Sequence, residues 1–128
     1  MISALFLLVG CYTALSQTSS DDGSPVVIKM PDQVPMKFVP DKVTIKVGQR
    51  VEWLNSAENN GPLHNVTTDP NKVMDPRHVS SPRGAEVFDS GAIKPGKSFV
   101  HKFTVPGVYD YACSPHEGSM RGEIVVEP

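Results

Sequence analysis

Four residues of types that bind transition metals are the chemically most informative feature of this sequence. Cys113 and His116 lie three positions apart, Met120 follows four positions later, and His64 lies far upstream. Two histidines and one cysteine with a weak axial methionine form the ligand set of blue-copper electron-transfer sites. Thiolate and thioether sulfurs stabilise Cu(I), whereas imidazoles bind both oxidation states. The pattern therefore predicts one copper ion held by these four side chains.

Each of these residues also has a structural interpretation when it is taken alone. Cys113 can be an inert buried thiol, His116 an exposed loop residue and Met120 a core residue. The joint pattern favours a metal, because all three fall in one short window between two predicted strands. One cysteine and two histidines also form a zinc ligand set, which is a second interpretation. The other two histidines, His78 and His101, are predicted to be structural.

An alternation of apolar and polar side chains predicts the elements that position these residues. Between Val43 and Trp53 the alternation is strict on both sides of Gly48-Gln49, which predicts a half-buried hairpin. Further short strand patterns occur at residues 26–30, 36–39, 86–90, 98–104, 109–113 and 122–126. Seven to eight short strands separated by turns indicate an all-β sandwich or barrel.

The length and composition limit the chain to a small single domain. It has 128 residues, with 12 Lys plus Arg, 14 Asp plus Glu and a formal charge of −2. One modest core fits this length, which argues against a multidomain enzyme. The balanced charge argues against a nucleic-acid partner, because such binders carry a clustered basic surplus. The 12 Pro and 10 Gly favour many turns and disfavour a helical bundle.

The beginning of the chain has the pattern of an export leader. Residues 1–16 are apolar, uncharged and too few to span a bilayer as a stable helix. One expectation is cleavage before Gln17, after a small-x-small motif; the other is cleavage before Cys11, which then carries a lipid. Residues 17–24 are predicted to be a flexible tether and 25–128 the folded domain. We expect a periplasmic or extracellular protein without a transmembrane span in its mature form.

Four motifs occur in order along residues 36–126: PMKFVPDKVTIKVGQRVEWLN, HNVTTD, VFDSGAIKPGKSF and FTVPGVYDYACSPHEGSMRGEIVVE. Together they resemble the cupredoxins, and especially the plastocyanin-like bacterial members. The resemblance implies a Greek-key β-sandwich with one type 1 copper site at one end. The residues that match the family's two histidine ligands, its cysteine and its axial methionine are His64, His116, Cys113 and Met120.

The ligand loop departs from the plastocyanin-like pattern in its length. Those chains usually have four residues between the second histidine and the methionine, whereas three separate His116 and Met120 here: Glu117, Gly118 and Ser119. Related cupredoxins have as few as two. The resemblance therefore keeps Met120 as a ligand and leaves its coordination distance open.

Asn65 adjoins the first predicted ligand and has two interpretations. Asn65-Val66-Thr67 matches a glycosylation sequon, although a residue beside a metal ligand is a poor acceptor. In the cupredoxins the corresponding asparagine bonds to the loop that carries the cysteine. The resemblance thus implies a contact with Ser114 that fixes the two ligand segments relative to each other.

These features predict a one-electron carrier, not an enzyme, that cycles copper between Cu(II) and Cu(I). Its expected partners are cytochrome-type or oxidase-type redox proteins that dock transiently on a monomer near His116 and Pro115. A copper chaperone or storage protein is the alternative function. A fragment of a multicopper enzyme is not supported, because the sequence has no His-x-His pairs.

Overall fold

Six β-strands and two short 3-10 turns make up the regular structure of residues 23–128, which are the residues that the computed structural model describes. The strands are β1 Val26–Met30, β2 Lys42–Lys46, β3 Arg50–Asn55, β4 Ser98–Lys102, β5 Gly107–Ala112 and β6 Arg121–Glu127. The turns are Pro76–His78 and Ser114–His116. Within these described residues, no helix has the length and apolar character needed to cross a membrane. The predicted leader and most of the tether lie outside them.

The strands form two three-stranded sheets. In the first sheet, β3 lies between β1, to which it is parallel, and β4, to which it is antiparallel. In the second sheet, β6 lies between the parallel β2 and the antiparallel β5. Apolar side chains from both sheets contribute to one buried cluster. The all-β sandwich that the sequence predicts is therefore confirmed.

Two of the predicted strands are reduced to single bridges in the structure. Segment 36–39 pairs only through Val39, which bridges Lys29, and segment 86–90 pairs only through Asp89, which bridges Thr67. Proline flanks the first of these segments at both ends, and proline cannot donate to a strand ladder. With both segments reduced to bridges, the described residues contain six strands, where the sequence predicted seven to eight.

The predicted hairpin between Val43 and Trp53 is wrong. β2 belongs to one sheet and β3 to the other, and the chain crosses between them at Gly48, whose φ is 94°. Alternation reports which face of a strand is buried and not which strand it pairs with. A chain that passes from one sheet to the facing sheet therefore shows the same pattern as a hairpin.

Trp53 contacts aromatic rings that come from both sheets. Its ring centroid lies 5.9 Å from that of Phe99 in β4 and 5.4 Å from that of Tyr111 in β5. Phe38 packs edge-on against Tyr111, with 4.7 Å between centroids. Trp53 and Tyr111 are fully buried. Such aromatic pairs each stabilise a fold by about 0.5–1.5 kcal/mol beyond the burial of area. They fix the sheets relative to each other just before the chain reaches Cys113.

The ladder between β5 and β6 creates the loop on which the candidate ligands lie. Its last pair joins Ala112 to Arg121, so residues 113–120 form the connection between the two strands. One residue before this end, Tyr111 pairs with Gly122. A Cβ atom placed on Gly122 would lie only 2.3 Å from the Cζ and Oη atoms of Tyr111. The register next to the loop thus requires glycine at this position.

We expect Gly122→Ala to lower the free energy of unfolding by about 1–3 kcal/mol, because the buried Tyr111 ring cannot move away. Chemical denaturation of the metal-free protein measures this change. Gly118→Ala is the matched control, since a Cβ there meets nothing within 4 Å and Gly118 has no positive φ. Equal stability of the two variants would contradict the close approach of Gly122 and Tyr111.

Candidate metal centre

The loop 113–120 is closed by hydrogen bonds between its own ends. The Cys113 N–H donates to the Met120 carbonyl at 3.0 Å, which continues the ladder of β5 and β6 by one bond. Within the loop, the N–H groups of His116 and Met120 donate to the carbonyls of Cys113 and His116 at 3.1 and 2.8 Å. Pro115 suits the 3-10 turn Ser114–His116, because its fixed φ is helical. The turn brings the His116 side chain back towards Cys113.

His64 reaches the same place through backbone pairing with two other segments. Its own N–H and carbonyl pair with the backbone of Ile93 at 3.3 and 2.6 Å. Three residues later, Thr67 exchanges two hydrogen bonds of 3.0 Å with Ala112, the last residue of β5. The buried Asn55 amide donates to the Ile93 carbonyl at 2.9 Å. The segment that carries His64 is therefore fixed directly beside the strand end that carries Cys113.

The structure brings three of the four predicted ligands into one cluster. The Cys113 Sγ lies 3.7 Å from the Nδ1 of His64 and 3.4 Å from the Nδ1 of His116. Their potential ligand atoms all lie within 4.8 Å of one another. His64 is 1% exposed and Cys113 is fully buried, whereas His116 is partly exposed. The cluster therefore has one side that solvent or another protein can reach.

Met120, the fourth predicted ligand, is fully buried and lies beside Cys113 through their shared backbone hydrogen bond. Its side chain belongs to the same apolar cluster as the Cys113 side chain. Both ends of the loop thus contribute a buried sulfur-containing residue. This placement agrees with a weak sulfur donor on the buried side of the site.

The surroundings disfavour the protonated state of the imidazole and the ionised state of the thiol when no metal is bound. Burial, together with the charge of a protonated His116, lowers the pKa of His64. Burial raises the pKa of Cys113, while backbone N–H groups of Asn65 and His116 lower it in part. A cation among these donors would reverse the balance for the thiol, because it favours the thiolate.

The donor set and its spacing fit a transition-metal ion. With bond lengths of about 2.3 Å to sulfur and 2.0–2.1 Å to nitrogen, as for zinc, an ion shared at a tetrahedral angle would separate the two atoms by roughly 3.5–3.6 Å. The observed Sγ–Nδ1 separations of 3.4 and 3.7 Å are close to that range. Thiolate and neutral imidazole are ligands suited to copper as well as zinc. The distances among these donor atoms therefore define a metal site, but they do not distinguish copper from zinc.

Asn65 links the two ligand segments by a pair of hydrogen bonds. Its Oδ1 accepts from the Ser114 N–H at 2.6 Å, and its Nδ2 donates to the Ser114 Oγ at 3.0 Å. Asn65 directly follows one candidate ligand, and Ser114 directly follows another. The contact between Asn65 and Ser114 that the resemblance implied is thus present in the structure. A side chain bonded in this way sets the distance between the two segments.

Sequence reasoning missed Glu117, which is 3% exposed although it lies in a polar loop. Its carboxylate accepts from the Met74 and Asp75 N–H groups at 2.7 and 3.0 Å and lies 2.8 Å from the His78 Nδ1. These N–H donors, Asp75 first, hold the pKa of Glu117 below its usual value. His78, predicted to be structural, is one of its partners. In the sequence, the only sign of a role for Glu117 was its position directly after the predicted ligand His116.

The fold and the site define a class: a mononuclear metal protein built on a β-sandwich. Residues 25–127 match the family model described as copper binding proteins, plastocyanin/azurin family. The chain belongs to this family of copper-binding proteins. The match favours copper over zinc as the ion that His64, Cys113, His116 and Met120 hold.

Individual relatives support the same assignment. Plastocyanin of Scenedesmus fuscus is 34% identical over 97 residues, which are 75% of this chain and 92% of that protein. Amicyanin-alpha of Methylorubrum extorquens is 36% identical over 93 residues, which are 72% of this chain and 66% of that one. The solved structure of a reduced amicyanin variant superimposes with a TM-score of 0.60 at 30% identity, covering 83% of this chain and 84% of the other.

We expect Asn65→Ala to lower the free energy of unfolding of the copper-loaded protein by about 1–3 kcal/mol. Two hydrogen bonds are lost, and the Ser114 N–H is left without its acceptor. Thermal or chemical denaturation measures the loss. The control is Asn71→Ala, which changes an exposed asparagine away from the ligand segments. If both variants unfold at the same temperature, Asn65 does not hold the segments together.

Proposed function

We propose that this protein carries single electrons between larger redox proteins through one type 1 copper ion held by His64, Cys113, His116 and Met120. The observation that carries the proposal is the buried Cys113 thiol placed 3.4 and 3.7 Å from two imidazole nitrogens. Copper bound there supplies a reversible one-electron change between Cu(II) and Cu(I). The similarity to plastocyanin and amicyanin supports a carrier and not an enzyme.

Rigid ligand positions support rapid electron transfer. The two oxidation states of copper prefer different geometries, so a site that moves between them slows the reaction. Here the ligand segments are fixed by backbone pairing with Ile93 and Ala112 and by the side chain of Asn65. These contacts hold the donors in one arrangement that serves both states. The chain thereby reduces the structural change that accompanies each transfer.

The burial of the ligands favours a carrier over a copper chaperone or storage protein. A protein that hands over its ion needs donor atoms that an acceptor can approach. His64 is 1% exposed and Cys113 is fully buried, and both lie on paired backbone segments. Exchange of the ion would require these segments to separate. An electron, by contrast, needs only contact with the partly exposed His116.

The proposed docking surface for redox partners surrounds His116. Leu63, which precedes a ligand, is 49% exposed, and Met74, whose backbone is bonded to Glu117, is 88% exposed. Pro115 is exposed within the ligand loop. Such a small apolar surface suits the weak, short-lived contacts of redox proteins. Export of the protein, by cleavage before Gln17 or before a lipidated Cys11, remains a prediction from the uncharged leader.

We expect Cys113→Ser to abolish the intense visible absorption of the copper-loaded protein, even where copper still binds, because the transition requires a thiolate. A visible spectrum of protein titrated with Cu(II) measures this. Ser119→Ala is the control, since it removes from the same loop a hydroxyl that donates to the Met36 carbonyl but leaves all four candidate ligand side chains unchanged. A serine variant that stays coloured would exclude Cys113 as the ligand. Absence of the band from the unchanged protein would exclude the type 1 site itself.

We expect Met120→Leu to keep the colour and raise the reduction potential, because loss of a weak sulfur donor disfavours Cu(II) more than Cu(I). Voltammetry measures the potential. Met30→Leu is the matched control, as Met30 is equally buried but lies in β1. An unchanged potential in Met120→Leu would show that the short loop keeps this sulfur away from the metal.

A further inference from the structure

Glu117 joins the ligand loop to a segment that is distant in the sequence. It directly follows His116, and its buried carboxylate accepts hydrogen bonds from two consecutive backbone N–H groups, those of Met74 and Asp75, at 2.7 and 3.0 Å. The His78 Nδ1 lies 2.8 Å from the same carboxylate. Three polar groups thus converge on a side chain that is 3% exposed. A carboxylate buried among donors is normally fixed in one position.

The segment that receives Glu117 is itself ordered. The Asp75 carboxylate accepts from the Arg77 N–H at 2.9 Å, and the His78 N–H donates to the Asp75 carbonyl at 3.0 Å, which forms the 3-10 turn. Beyond the turn, Ser80 exchanges two backbone hydrogen bonds of 3.0 Å with Asp110 of β5. The turn is therefore attached to the strand that leads into the ligand loop.

We infer that Glu117 is a positioning residue for His116, holding the partly exposed ligand in one orientation through its contacts with residues 74–78. The inference rests on the proposed function. On the other side of Glu117, Gly118 is exposed and has no side chain that could contact another segment. The contacts of Glu117 restrain the loop on the side that faces residues 74–78. They add to the hydrogen bonds that the loop makes within itself and through Ser119.

A fixed His116 affects the rate of electron transfer more than the binding of the ion. Cu(I) accepts fewer ligands than Cu(II), so the exposed imidazole is the ligand most free to move on reduction. Each movement adds to the structural change that one transfer requires. Loss of the Glu117 contacts should therefore slow transfer while Cys113, His64 and the visible band remain.

The test compares Glu117→Gln with the unchanged protein. Glutamine keeps the shape but has one acceptor oxygen in place of two, so one backbone N–H loses its partner. We expect the band to persist and the electron self-exchange rate, measured by NMR line broadening in mixtures of oxidised and reduced protein, to fall several-fold. Glu127→Gln is the control: it makes the same substitution at an exposed glutamate at the end of β6 remote from the ligand loop, and should leave the rate unchanged. An unchanged rate in Glu117→Gln overturns the inference.

A second measurement uses the unchanged protein without copper, so it does not depend on whether a variant folds. In the metal-free unchanged protein, the Met74 and Asp75 amides should exchange with solvent at least roughly tenfold more slowly than unstructured amides, since each has a charged acceptor. Exchange as fast as in an unstructured peptide overturns the inference. This result does not depend on the visible band, so failure of the proposed function and failure of the role of Glu117 are distinguishable.

Discussion

The pairing of Ala112 with both Thr67 and Arg121 places the metal centre. Ala112 is the last residue of β5: on one side it pairs with Arg121 of β6, and on the other its backbone exchanges two hydrogen bonds of 3.0 Å with Thr67. The first pairing fixes where the ligand loop begins and ends. The second brings the segment of His64 to the same strand end. One residue after Ala112, the chain can only place Cys113 between the two segments.

The core beneath this junction makes its geometry reproducible. Tyr111 precedes Ala112 and is fully buried against Trp53 and Phe38, at centroid distances of 5.4 and 4.7 Å. Gly122 provides the space that the Tyr111 ring occupies across the ladder. A shift of β5 by one residue would place this ring outside the core and turn Cys113 away from the histidines. Core packing and ligand geometry are therefore set by the same register.

The sequence could predict the ligand types but not the contacts that fix them. Cys113, His116 and Met120 lie in one loop, and His64 belongs to a motif, so their chemistry can be recognised locally. The hairpin prediction failed because alternation cannot distinguish pairing within one sheet from crossing to the other. Glu117 was missed because its partners lie about forty positions away in a segment without periodicity. Contacts of this kind depend on the fold, which local patterns do not contain.

The position of the ligand loop is fixed in part by hydrogen bonds to three other segments of the chain. Ser114 is bonded to Asn65, the Glu117 carboxylate to residues 74–78, and the Ser119 Oγ to the Met36 carbonyl at 2.8 Å. These contacts come from three different parts of the chain and meet the loop at separate positions. Each hydrogen bond alone contributes only about 0.5–1.5 kcal/mol net, or about 1.5–3 kcal/mol to a charged group. Together they hold the backbone on both sides of His116, so the ligand can be exposed to a partner and still keep its orientation.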